Sequence, residues 1–256
     1  GYDIFLLRIG GLGTVPLTSD TTWDGTPSFS PDGSRILFSS DRSGHRQLWT
    51  MGLDGSSPQQ LTFFDDSIEP SWASYSPDGT RIVFSTPDGG NTNIYVVHAD
   101  GTGLARRTTD ANEDEEPSWS PDGAHIVWSS NFGGRSNIWI MNADGSDKTQ
   151  LTNAACQSDR SPRFVNDGTW VMFTRQGGGT PQIFVVKVAD PSEVTQLTFL
   201  SVAGVADPVW DLDDDGPGGR PGGAGLRLLT HWHDNRTDRI WSGPARSLTL
   251  GLRSMA

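Results

Sequence analysis

The stretch Pro27-Ser28-Phe29-Ser30-Pro31-Asp32-Gly33 decides the fold, because the chain repeats it. It returns in residues 72–79 as Trp-Ala-Ser-Tyr-Ser-Pro-Asp-Gly and in residues 117–123 as Pro-Ser-Trp-Ser-Pro-Asp-Gly, with weaker copies at 162–168 and 208–211. The aspartates of the first four copies, Asp32, Asp78, Asp122 and Asp167, are 46, 44 and 45 residues apart. A period of about 40 to 50 residues, with several short strands in each unit, is typical of a β-propeller.

Each repeat has the pattern of four short strands. Ser-Pro-Asp-Gly suits a tight turn, because proline presets φ while aspartate and glycine tolerate turn conformations. The runs that follow are rich in β-branched and aromatic residues, as strands are: Arg35 to Ser39, Arg81 to Ser85, His125 to Ser129, Trp170 to Thr174 and Leu226 to Thr230. A third strand and a closing Leu-Thr or Thr-Thr strand complete the unit. Four antiparallel strands make one propeller blade.

The N-terminal residues match the second half of such a unit. Residues 2–18 contain Tyr2 to Leu7 and then Leu17-Thr18, with no first or second strand before them. We therefore predict one domain over 1–256, with repeats at about 24–62, 63–109, 110–152, 153–198 and 199–256 and a ring closed by residues 2–18. Five blades are favoured, and the alternative is six with one incomplete. Closure of this kind removes exposed strand edges.

The repeat resembles that of the TolB-like β-propellers. The residues that carry the resemblance are Pro117 to Gly123, Ile138 to Gly145 and Gln150-Leu151-Thr152, together with their counterparts in the other repeats. The repeat is similar to the propeller domain of TolB and to the propellers of prolyl oligopeptidase-type peptidases. The resemblance implies a periplasmic or extracellular location and a family of partner-binding proteins, enzyme-associated propellers and a few lyases. The repeat residues build the fold, so they do not indicate which of these functions the protein has.

Charge and hydropathy narrow the range of partners. The 256 residues contain 19 Lys and Arg against 31 Asp and Glu, giving a formal net charge of −12. Such a chain would be repelled by phosphates, which excludes nucleic acid as a partner. No stretch approaches the roughly 18 consecutive apolar residues of a membrane-spanning helix. A protein or peptide partner, or a metal cation, fits the charge better.

Acidic residues precede the prolines with which we expect the inner strands to start, namely Pro27, Pro70, Pro117, Pro162 and Pro208. In a propeller these positions open onto the central channel, so we predict that one or more carboxylates from each blade meet at the channel mouth: Asp24, Glu69, Asp114, Glu116, Asp159 and Asp207. Like charges gathered there would raise one another's pKa unless a cation relieved them, and an oxygen-rich cluster suits calcium. The alternatives are that the acids stay solvated beside turns, or that two of them act as acid and base in glycoside cleavage.

A second candidate metal site is local in sequence. Asp211, Asp213 and Asp215, followed by Gly216, have the D-x-D-x-D-G spacing of calcium loops, in which alternate carboxylates turn to one side. The segment departs from the EF-hand pattern, because Gly222 stands where the twelfth-position glutamate is expected. The alternative is a solvated loop, since the following residues 217–223 are low in complexity.

The sequence favours a protein that is not an enzyme. It has no G-x-S-x-G nucleophile elbow and no phosphate-binding glycine loop. The leading hypothesis is a binding propeller that holds a protein or peptide partner at a face or at the channel mouth, with bound calcium as an additional expectation. The alternative is a carbohydrate-active enzyme, a glycoside hydrolase or lyase, that uses the channel carboxylates or His231 and His233.

Overall fold

The computed structural model describes residues 2–8, 13–65, 68–154, 156–165, 167–177 and 179–198, and the backbone of 226–230. Within these residues the regular structure consists of β-strands in four four-stranded antiparallel sheets and one three-stranded sheet. None of this part of the chain forms a helix long and apolar enough to cross a membrane. The prediction of an all-β propeller built from four-stranded blades is confirmed.

The strands follow the repeats. The chain begins with β1 (Ile4–Arg8) and β2 (Thr14–Pro16). The first blade contains β3 (Asp24–Phe29), β4 (Arg35–Ser40), β5 (Gln47–Gly52) and β6 (Gln59–Gln60). The second contains β7 (Ser71–Tyr75), β8 (Arg81–Asp88), β9 (Asn91–His98) and β10 (Ala105–Arg106). The third contains β11 (Asp114–Trp119), β12 (His125–Ser130), β13 (Asn137–Asn142) and β14 (Thr149–Gln150). The fourth contains β15 (Ser158–Val165), β16 (Trp170–Gln176), β17 (Gln182–Lys187) and β18 (Asp190–Gln196), and β19 is Leu226–Thr230.

The hydrophobic core lies between blades. Each second strand alternates, so its two sides face two different neighbours. In β4, Ile36 and Phe38 pack with Ile4 of β1. Leu37, between them in sequence, packs into a cluster with residues of the second blade. Equivalent clusters join the second blade to the third and the third to the fourth. Full burial of each such side chain contributes about 1.5–3 kcal/mol, so the blades hold one another together.

The strands β1 and β2 take the places of the third and fourth strands in the sheet that they share with β19. In each other blade, a threonine after the fourth strand accepts a hydrogen bond from a backbone N–H of the third strand, as Thr62 does from Leu48 at 2.9 Å. Thr18 accepts the same bond from the N–H of Ile4 at 3.0 Å. In addition, β1 pairs antiparallel with β19, with Ile4 opposite Thr230. The N-terminal strands thus share a sheet with β19, as the predicted closure requires, while closure of the whole ring stays a prediction; the first strand expected near Pro208 lies outside the described residues.

A β-bulge interrupts every described first strand. The ladder between β3 and β4 shifts between Gly25 and Ser28, and the same shift occurs in the other three blades. At each bulge one residue has a positive φ: Thr26 at 49°, Trp72 at 55°, Glu116 at 57° and Ser161 at 54°. These four bulge residues are therefore structurally equivalent. Each bulge bends its strand and re-aims its side chains.

The bulges correct the expected position of the prolines. Pro27, Pro117 and Pro162 directly follow a bulge residue, so they lie inside the first strands and do not start them. In the second blade this place belongs to Ala73. Pro70 directly precedes β7 and stands two residues before the bulge, where the other blades have Asp24, Asp114 and Asp159.

The propeller has two different faces. Because adjacent strands are antiparallel, the starts of the first and third strands and the ends of the second and fourth strands share one side. We call this the front face; its described connections are 17–23, 41–46, 61–65, 68–70, 89–90, 107–113, 131–136, 151–154, 156–157, 177 and 179–181. The back face carries the opposite turns, at 30–34, 53–58, 76–80, 99–104, 120–124, 143–148, 167–169 and 188–189.

Candidate functional site

Three of the predicted channel-mouth acids are buried at the starts of their first strands. Asp24, Asp114 and Asp159 are almost completely shielded from solvent. Their position is set by register, since each lies opposite the end of the second strand of its own blade, as Asp24 lies opposite Ser40. Buried carboxylates need partners, because an unpaired charge inside a protein is costly.

Two of these carboxylates are paired with an arginine of their own blade. Asp159 binds Arg175 through two hydrogen bonds, Nε to Oδ1 at 2.7 Å and a terminal nitrogen to Oδ2 at 2.8 Å. Asp24 accepts one bond from Arg42 at 2.9 Å, and its Oδ2 has no partner in the described part of the chain. Each guanidinium also lies over aromatic rings of its blade, with Arg175 at 4.7 Å from the Phe184 ring centroid and Arg42 at 5.2 Å from that of Trp49.

Asp114 has an uncharged partner instead. The indole N–H of Trp128 donates to its Oδ1 at 3.0 Å. Burial raises the pKa of Asp114 above its usual value of 3.8, and the hydroxyls of Ser130 and Thr108 partly counter the rise. A carboxyl held by hydroxyl and indole groups, without a cation, is expected to shift in this direction.

The second blade has no acid at this position. Pro70 takes it, and its carbonyl oxygen accepts a hydrogen bond from the Ser39 hydroxyl at 3.1 Å. The ring of Phe64 packs here against Phe84 and Tyr95, at centroid distances of 6.0 Å and 6.3 Å, as Arg175 of the fourth blade packs against Phe173 and Phe184. Both the acid and an arginine partner are thus absent from the described residues of the second blade, whereas the third blade keeps its acid, Asp114, without an arginine.

The two glutamates among the predicted channel-mouth acids, Glu69 and Glu116, occupy different environments. Glu69 lies one residue before the aspartate-equivalent position, is half exposed, and pairs with Arg46 at 3.0 Å. Glu116 is a bulge residue and is 7% exposed. It accepts hydrogen bonds from the Ser129 hydroxyl at 3.3 Å and from the backbone N–H of Ser161 in the next blade. No lysine or arginine among the described residues forms an ion pair with Glu116.

The structure thus distributes the acids among the blades. No group of three or more His, Cys, Asp or Glu side chains in the described residues could hold a metal ion. Asp207, Asp211, Asp213 and Asp215 lie outside the described residues, as do His231 and His233, so calcium binding there stays a prediction. His45, His98 and His125 lie in three separate places, at a front-face connection, at the end of β9 and at the start of β12.

The back face carries a regular set of exposed aspartates. Two turns in each described blade contribute one each: Asp32, Asp54, Asp78, Asp100, Asp122, Asp144, Asp167 and Asp190. Side-chain and backbone hydrogen bonds from the next residues, or from the serine two positions earlier, lower the pKa of all eight. The pKa falls to about 2 for Asp32 and Asp78. These side chains stabilise turns, and they leave the back face negatively charged and hydrophilic.

Exposed aromatic side chains mark the front face. Among the described residues the large exposed aromatics are Phe63, which is 79% exposed, Phe132, which is 53% exposed, and Trp72, which is 41% exposed. Phe63 and Phe132 lie in front-face connections, and Trp72 lies one residue into β7, near the same face. The same face has an open depression of about 480 Å³ lined by Asp41, Gly44, His45, Arg46 and Glu69.

The repeat pattern distinguishes Trp72 from the equivalent residues of the other blades. The repeat alignment places it beside Thr26, Glu116 and Ser161, so it is the one aromatic residue among the four described bulge positions. Its different environment separates it from Trp119 and Trp128, which are buried between blades as the repeat predicts.

Comparison with known proteins supports the fold and its family resemblance. Residues 68–156 match the TolB beta propeller domain family. An uncharacterized protein of Agrobacterium fabrum is 35% identical over 71 residues, which are 28% of this chain and 23% of that protein. The Tol-Pal system protein TolB of Bordetella pertussis is 41% identical over 54 residues, which are 21% of this chain and 12% of TolB. The chain thus matches less than a quarter of the length of each of these relatives.

Solved structures agree over a larger part of the chain. The structure of TolB from Acinetobacter baumannii superposes with a TM-score of 0.63 at 19% identity and covers 79% of this chain and 54% of that chain. A chain of a nidogen–laminin complex superposes with a TM-score of 0.61 at 13% identity, covering 78% and 80%. At these identities the structural matches establish the fold alone. Together with the family match over residues 68–156, they show a β-propeller that is similar to TolB.

Proposed function

We propose that this protein is a non-enzymatic propeller that binds a protein or peptide partner on its front face. The observation that carries the proposal is the position of Phe63, Trp72 and Phe132. Exposed aromatic side chains that share one side of a molecule are typical of protein interaction sites, because they bury a large area at little entropic cost. The described back-face turns carry exposed aspartates instead, and the large hydrophobic side chain exposed among them is Leu104.

The chemistry of the front face also favours binding over catalysis. The buried acids Asp24 and Asp159 are neutralised by arginines, and neither is free to serve as an acid or base. Glycoside cleavage requires two accessible carboxylates on opposite sides of the scissile bond. The similarity to TolB of the Tol-Pal system supports extending partner binding, and a periplasmic or extracellular location, to this chain.

The proposal is tested by comparing two surface variants in affinity capture from an envelope fraction, with captured proteins identified by mass spectrometry. The front-face variant carries Phe63→Ser and Phe132→Ser. The matched back-face variant carries Asp54→Asn and Asp100→Asn. Each captured candidate is then purified and its affinity for all three proteins measured by calorimetry.

We expect one partner to bind the unaltered protein and the back-face variant with equal affinity. The front-face variant should bind at least about tenfold more weakly, since truncating an aromatic that anchors an interface costs about 2 kcal/mol or more. A partner that loses affinity only for the back-face variant would contradict the proposal. Equal melting temperatures of the two variants establish that the loss does not reflect unfolding.

A further inference from the structure

Four of the tryptophans in the described residues lie beneath a cationic side chain. The guanidinium of Arg46 lies 4.1 Å from the ring centroid of Trp23, that of Arg81 lies 4.6 Å from Trp119, and that of Arg42 lies 5.2 Å from Trp49. The ammonium of Lys187 lies 5.8 Å from Trp170. Two further described tryptophans, Trp128 and Trp139, pack against each other at 6.3 Å. Arginine and lysine favour the face of an indole because its quadrupole is negative there.

Trp72 differs from these six. In the described structure it has no cation over its ring, no aromatic neighbour and no hydrogen bond from its indole N–H. Its backbone is nevertheless held at φ 55° in the bulge of β7, a conformation that costs a non-glycine residue energy. Two other bulge residues use their side chains within the propeller: Thr26 donates to the Ser39 hydroxyl at 3.1 Å, and Glu116 accepts from the Ser129 hydroxyl at 3.3 Å. A rigidly held, partly exposed indole without a partner has the properties of a binding anchor.

The equivalent residue of the next blade is the carboxylate of Glu116. The strands β7 and β11 that carry these two residues pack against each other. Glu116 is 7% exposed and accepts two hydrogen bonds, but no described cation neutralises it. A shielded carboxylate without a counter-charge attracts a cation strongly, because the surrounding protein screens it poorly.

We propose that Trp72 and Glu116 form a binding site for an arginine side chain of the partner protein. A guanidinium stacks on an indole and donates parallel hydrogen bonds to a carboxylate, so a single arginine satisfies both groups. An arginine of this chain already makes both kinds of contact: the guanidinium of Arg46 lies over the ring of Trp23 and pairs with the carboxylate of Glu69. The net charge of −12 further favours a basic partner segment.

This inference rests on the proposed function and specifies its partner. The probe is a five-residue peptide with a central arginine, acetylated and amidated at its ends, titrated into the labelled full chain while the indole N–H signals are followed by NMR. The Trp72 signal is assigned from its disappearance in Trp72→Phe. A peptide with citrulline in place of arginine is the neutral control, because it keeps the shape and removes the charge.

We expect a saturable shift of the Trp72 signal with the arginine peptide and a dissociation constant at least about tenfold higher for the citrulline peptide. Trp72→Leu and Glu116→Gln should each weaken binding by about 2- to 30-fold. The matched control Trp170→Phe, at a platform that Lys187 already occupies, should leave the affinity unchanged. Glutamine at 116 keeps an acceptor for Ser161, so this variant should retain the native melting temperature.

Three results would overturn the arginine site. They are a Trp72 signal that does not shift up to about 10 mM peptide, equal affinities for the arginine and citrulline peptides, and binding that survives both Trp72→Leu and Glu116→Gln. A partner that depends on Phe63 and Phe132 but ignores these two substitutions would contradict this site and leave front-face binding intact. A partner that loses affinity only for the back-face variant in the capture experiment, with the arginine peptide still bound to the unaltered protein, would contradict the proposed function instead.

Discussion

Removal of the arginine from the buried pair in the fourth blade should destabilise the whole propeller. Arg175 makes two hydrogen bonds of 2.7 and 2.8 Å to Asp159, whose side chain is fully buried, and also lies over the rings of Phe173 and Phe184. Arg175→Met keeps most of the apolar stem but leaves the carboxylate without a cation. Breaking a buried pair from one side costs about 3–5 kcal/mol. For a chain of this size that corresponds to a fall in melting temperature of about 6–20 °C.

The assay is denaturant unfolding of four proteins, namely the unaltered chain, Arg175→Met, Asp159→Asn and the double variant. Because the double variant removes both charges, its free energy of unfolding should exceed that of Arg175→Met. The matched control is Lys187→Met, which breaks the exposed pair of Lys187 and Glu193 and should change stability by less than about 1 kcal/mol. A loss below about 1 kcal/mol in Arg175→Met would refute the view that Asp159 depends on this arginine.

Three further predictions concern the other blades and the predicted calcium loop. Burial raises the pKa of Asp114 above 3.8, so its protonated form favours folding; that contribution is complete below about pH 3.8 and is lost as the pH rises through the folded-state pKa. Asp114→Asn should therefore gain stability relative to the unaltered chain between about pH 4 and pH 7, and a constant difference in urea unfolding would contradict this. A chain that starts at Thr21 lacks β1 and β2 and should unfold less cooperatively or aggregate; an unchanged melting curve would show that the strands do not close the ring. Calcium should raise the melting temperature through Asp211, Asp213 and Asp215, with about 2.7 kcal/mol at one hundred times the dissociation constant; Asp213→Asn with Asp215→Asn should abolish the effect, and no response to calcium or chelator in the unaltered chain would contradict it.

The fold could be predicted from the sequence because its determinants are local and repeated. The turn residues around Asp32, Asp78 and Asp122 form the same hydrogen bonds in each blade, since a serine hydroxyl two positions earlier reaches each aspartate. The strand character of the N-terminal residues could also be predicted from the sequence, because Ile4 and Thr18 have the same spacing as Leu48 and Thr62. Local pattern and tertiary structure agree at these positions.

The candidate site was less accessible to sequence reasoning because it depends on register and burial. Glu69 and Asp24 both precede a proline, but the bulge shows that Pro70 is the true counterpart of Asp24. Whether an acid is solvated or paired was decided by a distant residue, Arg42 for Asp24 and Arg175 for Asp159, in a different strand or connection. The repeat alignment distinguishes Trp72 as the aromatic residue among the four bulge positions, but its positive φ and its exposure depend on the tertiary structure.

The central claim, that the front face binds a protein partner, is tested most directly by site-specific photo-cross-linking. A benzophenone amino acid replaces Phe63 in one protein, Phe132 in a second and Thr80, on the back face, in a third. Each protein is irradiated in the envelope fraction, and the cross-linked products are identified by mass spectrometry. We predict that one partner is cross-linked from positions 63 and 132 and not from position 80. Cross-linking of that partner from position 80, with none from the two front-face positions, would contradict the claim.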